Sequence, residues 1–204
     1  GSKPYENVDL IRSLTVSSDV YYYTIGESIY INPKHPDNAI QETATLYGLG
    51  MQTGVQLPFE QDGYIPTPEK RKKRHEENPE IFPNGNWYPG DNVNISVGQG
   101  DVLVTPLQLA NAYATFANGG TNFAPNIVSS VFDRNGEVLK EFGKRVKEEI
   151  QIDPEFRNRV LRGLVGVTED VEGTAYWAFN SLASDGAFFP LGNFPTAGKT
   201  GTAE

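Results

Sequence analysis

Two adjacent elements in the middle of the chain constrain its architecture most. Thr105-Pro106 opens a segment that Gly119-Gly120 closes, with no Gly or Pro between. Thr is a good N-cap, Pro suits the first helical position because its missing N–H would have no partner there, and Gly ends helices. The spacing predicts a helix over 105–120, with Ala110, Ala114 and Ala117 as a small-residue face for close packing and Leu109, Tyr113 and Phe116 as a second, apolar stripe. Soon after, Asp133-Arg134-Asn135-Gly136 separates the β-rich runs 127–132 and 137–142. Asn-Gly tolerates the left-handed backbone that a tight turn needs, so this predicts a hairpin. Helices followed by a late hairpin, without regular alternation, predict an α+β fold.

Other segments fit that class. Ser17-Ser18-Asp19 breaks an apolar run and can cap a helix starting near Val20; the aromatic run Tyr21, Tyr22, Tyr23 then reads as core-facing. A helical stretch over about 36–47 ends at Gly48 and Gly50. Asp153 caps a helix over about 154–167, with Phe156, Val160, Leu161 and Leu164 on one face. Turn dipeptides dominate 53–68. The charged stretch 69–80 begins with Lys70, Arg71, Lys72, Lys73 and Arg74; it reads as a solvated loop or short exposed helix, or as a contact for a partner, anionic glycan or membrane. The tail from Phe188 is punctuated by Gly and Pro, then extended.

Composition narrows function. The 204 residues carry Lys+Arg 17 against Asp+Glu 26, a net charge of −9. That argues against nucleic acid as the main partner, because phosphate binding needs a basic face. With Cys 0 and only His35 and His75, disulfides, Cys-ligated metals, a Cys nucleophile and His-rich metal sites are excluded, and no metal or organic cofactor is implied. No apolar run reaches the length of a membrane-spanning helix. Gly1-Ser2 reads as the scar of tag removal and the sole Met is Met51, so the chain is expected to be a piece of something larger.

Three segments carry candidate chemistry. Ala197-Gly198-Lys199-Thr200-Gly201-Thr202-Ala203-Glu204 combines a fixed charge, two hydroxyls able to bond a carboxylate, and a Gly that admits a substrate against the backbone. A backbone N–H beyond Gly201 can face an oxyanion. A P-loop is excluded: it needs Gly five places before Gly198, where Asn193 stands, and Gly192 is one place early. A turn entering an edge strand remains the plain alternative. Ser17-Ser18-Asp19 is either a helix cap or a hydroxyl-bearing site. Gly98-Gln99-Gly100, feeding the helix capped by Thr105, is either an anion-binding loop or a folded connection.

In order, the chain also carries Gly-Leu-Gly-x-x-Thr-Gly over 48–54, Trp87-Tyr88-Pro89-Gly90-Asp91, Gly-Gln-Gly-x-x-x-Val-Thr-Pro-Leu-Gln over 98–108, and Ala117-Asn118-Gly119-Gly120. Taken with Ser-Ser-Asp and Ala-Gly-Lys-Thr-Gly-Thr-Ala-Glu, this series resembles the transpeptidase domain of class B penicillin-binding proteins, particularly the penicillin-binding protein 2 branch that serves cell elongation. The resemblance runs from about Asn7 to Glu204. It implies a partial serine β-lactamase/penicillin-binding-protein transpeptidase fold, a helical subdomain plus an incomplete antiparallel sheet, as a single partial domain over 1–204.

It further implies a serine D,D-transpeptidase built on three motifs. Ser17-Ser18-Asp19 corresponds to the Ser-x-Asn motif, with Ser17 as a proton relay. Asp19 departs from the usual Asn, as in the elongation branch; an ionised carboxylate only accepts hydrogen bonds, so it would receive a substrate N–H. Lys199-Thr200-Gly201 corresponds to the Lys-Thr-Gly motif. Lys199 would help hold Ser17 and the substrate carboxylate, Thr200 and Thr202 would bind that carboxylate, and the Thr202 N–H would form half of the oxyanion hole. The partners implied are the D-Ala-D-Ala stem peptide, β-lactams and membrane proteins of cell elongation, and the place is the outer face of the cytoplasmic membrane, with an anchor elsewhere in the parent.

The first motif, Ser-x-x-Lys, is absent: no Ser in the chain is followed three places later by Lys. Nucleophilic catalysis needs an attacking atom beside a base, so this polypeptide alone is expected to be inert towards penicillin. Missing elements would leave apolar surface and an open Lys199–Ala203 strand edge, and self-association is therefore expected. A β-lactam sensor, a β-lactamase and a partner-docking lobe of the same fold are the alternatives; no motif for a deacylating base is seen.

Overall fold

The computed structural model describes residues 7–36, 38–182 and 189–201. Mixed helices and short antiparallel strands bear out the α+β expectation. The described residues fall into two compact units: residues up to 24 with those from 153 onward, and residues 25–152.

In the first unit α1 (Leu10–Thr15) packs on α7 (Pro154–Glu169). Asp153 starts α7 as expected, its carboxylate accepting from the Phe156 N–H at 2.9 Å, with Pro154 next. The buried face is Gly163, Leu164, Val167 and Thr168, whereas Phe156, expected on that face, is 53% exposed. Glycines set the helix separation. A Cβ on Gly163 would lie 2.8 Å from Leu14 Cβ and 2.9 Å from the Ile11 carbonyl, and one on Gly166 would run into the Thr15 hydroxyl. That close approach lets the buried Thr15 hydroxyl donate to the Gly163 carbonyl at 3.1 Å. The short helix α8 (Tyr176–Asn180) is tied back by Asn180, which donates to the Thr168 carbonyl at 2.9 Å.

α2 (Asp19–Ile31) begins in this unit and continues into the second, which also holds α3 (Ala39–Leu46), α4 (Pro68–Glu77), α5 (Pro89–Ser96) and α6 (Pro106–Ala117). The predicted Thr105 cap of α6 is present, its hydroxyl accepting from Gln108 N–H at 3.1 Å, and the structure adds a reciprocal one: the Gln108 side chain accepts from Thr105 N–H at 3.1 Å. The buried face differs from the expected ones. It is Gln108, Ala112 and Thr115, while Ala110, Ala114 and Ala117 are exposed. The reason is polar: the Gln108 amide donates to the carbonyls of Met51 and Asp62, each at 2.8 Å, so the loop backbone before α4 needs a buried amide here.

The expected hairpin forms as β2 (Ser130–Phe132) and β3 (Val138–Glu141), with Asp133 accepting from the N–H groups of Asn135 and Glu137. A second antiparallel ladder joins β1 (Thr121–Ala124) to β4 (Arg145–Glu149), pairing Thr121 with Glu149 and Ala124 with Arg145. The two ladders are separate, and both lie in the second unit.

The charged stretch is helical. It is a short helix with no buried residue, but three of its five basic residues are held against the protein: Lys70 donates to the Ile65 carbonyl at 2.9 Å, Arg71 pairs with Asp91 at 2.7 Å and lies over Trp87, and Arg74 lies over the rings of Tyr64 and Phe82. Only Lys72 and Lys73 make i,i+4 surface pairs, with Glu76 and Glu77. The run is thus a structural clamp.

Candidate active site

Ser17 lies at the junction of α1 and α2. The Ser17 N–H bonds the Leu14 carbonyl at 3.3 Å and the Ser18 N–H bonds the Ser13 carbonyl at 2.9 Å, the paired closure of a Schellman motif. Its first residue beyond the helix needs a left-handed backbone, and Ser17 has φ 55°. Gly is the usual occupant, because a Cβ costs energy there. Ser17 therefore closes α1 instead of capping the next helix, and α2 starts at Asp19 itself.

This strained position directs the hydroxyl at the tail. Lys199 Nζ donates to Ser17 Oγ at 2.6 Å and to the Thr200 carbonyl at 3.0 Å. Burial holds the Lys199 ammonium below its ordinary pKa, and the negative charge of Asp19 partly opposes that shift. A lysine so placed holds its proton less tightly than in water while sharing a short hydrogen bond with a hydroxyl. That is the arrangement a proton relay requires.

The tail is fixed by α7 and the turn after it. The Gly198 N–H bonds the Leu164 carbonyl at 3.1 Å, and the Thr168 hydroxyl donates to the Thr196 carbonyl at 2.8 Å. The Thr200 and Thr174 hydroxyls share a hydrogen bond of 2.7 Å. Thr174 is in turn held by its N–H to the Thr15 carbonyl, beside Gly173, where a Cβ would run into the carbonyls of Gly166 and Val167. Of the expected Lys199–Ala203 edge strand, Thr202 and Ala203 lie outside the described residues; the described stretch 195–201 joins no ladder, and the Gly198 N–H and Thr196 carbonyl are bonded to α7 instead. Thr200 and Gly201 are exposed; Thr202 lies outside the described residues.

The structure thus brings together Ser17, Asp19, Lys199 and Thr200. Thr174 and Thr168 are additions that the sequence did not single out, since isolated threonines in a turn and a helix carry no local pattern. Gly98-Gln99-Gly100 is a folded connection: Gly98 and Gly100 have φ 75° and 74°, and the α6 N-terminus after it is occupied by its own caps. The Gly-rich 48–54 segment instead cradles a side chain. Glu60 accepts from the Thr53 N–H at 2.6 Å, the Thr53 hydroxyl at 2.5 Å and the Gly54 N–H at 3.1 Å. Partial burial pushes its pKa up, but these donors outweigh that and hold it below the ordinary glutamate value.

Among the described residues there is no cluster of three or more His, Cys, Asp or Glu able to hold a metal, and no helix long and apolar enough to cross a membrane.

The sequence profile described as "Penicillin binding protein transpeptidase domain" matches residues 2–204. The chain is 27% identical over 205 residues to peptidoglycan D,D-transpeptidase MrdA of Haemophilus influenzae, covering 97% of this chain and 27% of that protein. It is 25% identical to the MrdA of Escherichia coli K12, again over 97% of this chain and 27% of the relative. Among solved structures, one described as the structural coordination of polymerization and crosslinking by a peptidoglycan synthase complex matches with TM-score 0.68 and 29% identity, over 97% of this chain and 28% of that one. The Helicobacter pylori PBP2–MreC complex matches in fold with TM-score 0.64 and 23% identity, over 87% of this chain and 29% of that one. Pseudomonas aeruginosa PBP2 in complex with WCK 5153 matches in fold with TM-score 0.63 and 24% identity, over 83% and 34% respectively. The chain spans about 27% of the length of the MrdA relatives.

Proposed function

Since the chain belongs to the penicillin binding protein transpeptidase family, we propose that it supplies the second and third motifs of a peptidoglycan D,D-transpeptidase of the elongation type. The observation that carries this reading is the 2.6 Å hydrogen bond from Lys199 to Ser17, which joins the two motifs into one relay. Lys199 and Thr200, with Thr202 beyond the described residues, hold the terminal carboxylate of a D-Ala-D-Ala stem peptide. An acylating serine from a Ser-x-x-Lys motif outside these 204 residues attacks the penultimate carbonyl. Ser17 and Lys199 pass a proton to the leaving D-Ala amine, and the acyl group then goes to an amine of a second stem peptide. β-Lactams enter by the same acylation. Asp19, at the first turn of α2, keeps Lys199 charged enough to bind the carboxylate.

Membrane partners of cell elongation and a site of action outside the cytoplasmic membrane follow from the same reading. The relatives solved with MreC and in a peptidoglycan synthase complex support it. Self-association of the isolated chain also belongs here. Val20 at 73%, Trp177 at 68% and Phe194 at 63% exposure offer apolar surface in the first unit. A strictly monomeric species by light scattering at high concentration would argue against it.

The test of function uses fluorescent penicillin. In a protein that also contains the Ser-x-x-Lys motif, Ser17→Ala and Lys199→Ala should each slow acylation by about 10² or more, while the 204-residue chain alone should remain unlabelled. Undiminished acylation in both variants would defeat the relay, and covalent labelling of the chain alone would defeat the placement of the nucleophile.

A further inference from the structure

Within the second unit, α3, β1 and β4 line a cavity of about 550 Å3. Gln41 lines it and is only 3% exposed, yet neither its Nε2 nor its Oε1 has a hydrogen-bond partner among the described residues. Exchanging the two ends of the amide leaves the same deficit. Asn38 Oδ1, in the same wall, is also unpartnered, although the Asn38 side chain does bond Glu69. Buried side-chain polar groups are nearly always satisfied, and three such atoms around one cavity mark a place where a ligand completes the set.

The chemistry of that ligand can be read from the walls. A primary amide presents a donor and an acceptor side by side, the complement of the C=O and N–H of a peptide unit. Leu46 and Met51 offer apolar surface beside it. The rim carries the carboxylates of Glu42 and Glu148, while the one cation, Lys147, already donates to the Gln52 carbonyl at 2.6 Å. With the net charge of −9, this disfavours an anion.

We propose that this cavity is a binding site, additional to the relay of Ser17 and Lys199, for a neutral or cationic peptide segment of another molecule. One main-chain amide of that segment pairs with Gln41, and an apolar side chain rests on Leu46 and Met51.

Met51 is the only methionine in the chain, so selective 13C-methyl labelling places one NMR probe in the cavity wall. Titration with N-acetyl-L-leucine N′-methylamide should give a saturable Met51 shift. The methyl ester analogue, which lacks one N–H donor, should bind at least about tenfold more weakly, and Gln41→Leu should weaken the amide by a similar factor. The amide–ester comparison needs no variant and stands even where Gln41→Leu alters the fold. No saturable shift, or equal binding of amide and ester, would overturn the proposal. A Met51 shift that follows protein concentration without any probe would also overturn it, because a second copy of the chain would then fill the site.

Discussion

Lys199 Nζ and Ser17 Oγ lie 2.6 Å apart although 182 positions separate them in the chain. Ser17 holds its side of this contact from a left-handed backbone, φ 55°, at the closure of α1. Lys199 holds the other side from a segment anchored to α7 by the Gly198 N–H. Both ends are therefore set by the α1–α7 pair.

The titration of Lys199 is the first consequence. Burial lowers its pKa and Asp19 opposes that, so Asp19→Asn should lower it further. A lysine depressed in the folded state penalises folding at low pH, and the penalty fades as pH rises through the folded value towards the unfolded one. In a transpeptidase that needs Lys199 charged to bind carboxylate, the basic limb of the pH profile should move to lower pH in Asp19→Asn. NMR titration of the lysine side chain reads the shift directly; an unchanged or raised pKa would remove Asp19 from the relay.

Strain at Ser17 gives a second prediction. Ser17→Ala keeps the cost of a Cβ at positive φ and loses the bond to Lys199, whereas Ser17→Gly loses the bond but relieves the backbone. Glycine should be the more stable variant by about 1 kcal/mol in urea unfolding. Equal stabilities would mean that the αL position carries no cost. In a protein containing the Ser-x-x-Lys motif, both variants should lose acylation, because neither has the hydroxyl.

The α1–α7 contact should be intolerant of bulk. Gly166→Ala would press against the Thr15 hydroxyl and should cost about 1–3 kcal/mol by overpacking. It should also loosen the Lys199–Ser17 pair, since both anchors rest on these helices. A full-stability Gly166→Ala variant by thermal melting would contradict the packing.

Glu60 should contribute acid sensitivity. Its carboxylate is depressed by the Thr53 and Gly54 donors, so its contribution is complete above the ordinary glutamate range and lost as pH falls through the folded value. Glu60→Gln should cost about 1–3 kcal/mol near neutral pH, because an amide NH2 then faces one of these donors. Urea midpoints of the two proteins should converge as the pH falls through the depressed folded value of Glu60. Parallel curves would assign the acid sensitivity to other groups.

Gln41→Leu should leave the fold intact and raise its stability by about 1 kcal/mol, because an unpaired buried amide is replaced by an apolar group of similar volume. Loss of stability would show that Gln41 is satisfied without a ligand.

Legibility from sequence followed local physics. Thr105-Pro106, Asp153-Pro154 and Asp133-Arg134-Asn135-Gly136 act through bonds spanning two to four residues, so the starts of α6 and α7 and the β2–β3 turn were readable. β4 was not readable. Arg145–Glu149 is wholly exposed and mostly charged, so no apolar alternation marks it, and it forms only because β1 pairs with it after the intervening hairpin. The buried face of α6 is hidden from the sequence for a related reason. Gln108 looks like a surface residue until loop carbonyls distant in sequence require a buried donor, and Thr115 is buried on the same face with its hydroxyl turned back to the Asn111 carbonyl of its own helix.

The family and the order of its motifs were determined by sequence alone, because residue identity and spacing are enough to recognise them. That Ser17 closes a helix in a left-handed conformation, that Lys199 reaches it, and that Thr174 joins Thr200 were decided only by tertiary structure. Each depends on contacts that close when α1 and α7 approach across Gly163 and Gly166, and no local propensity encodes a distance between segments so far apart in the chain.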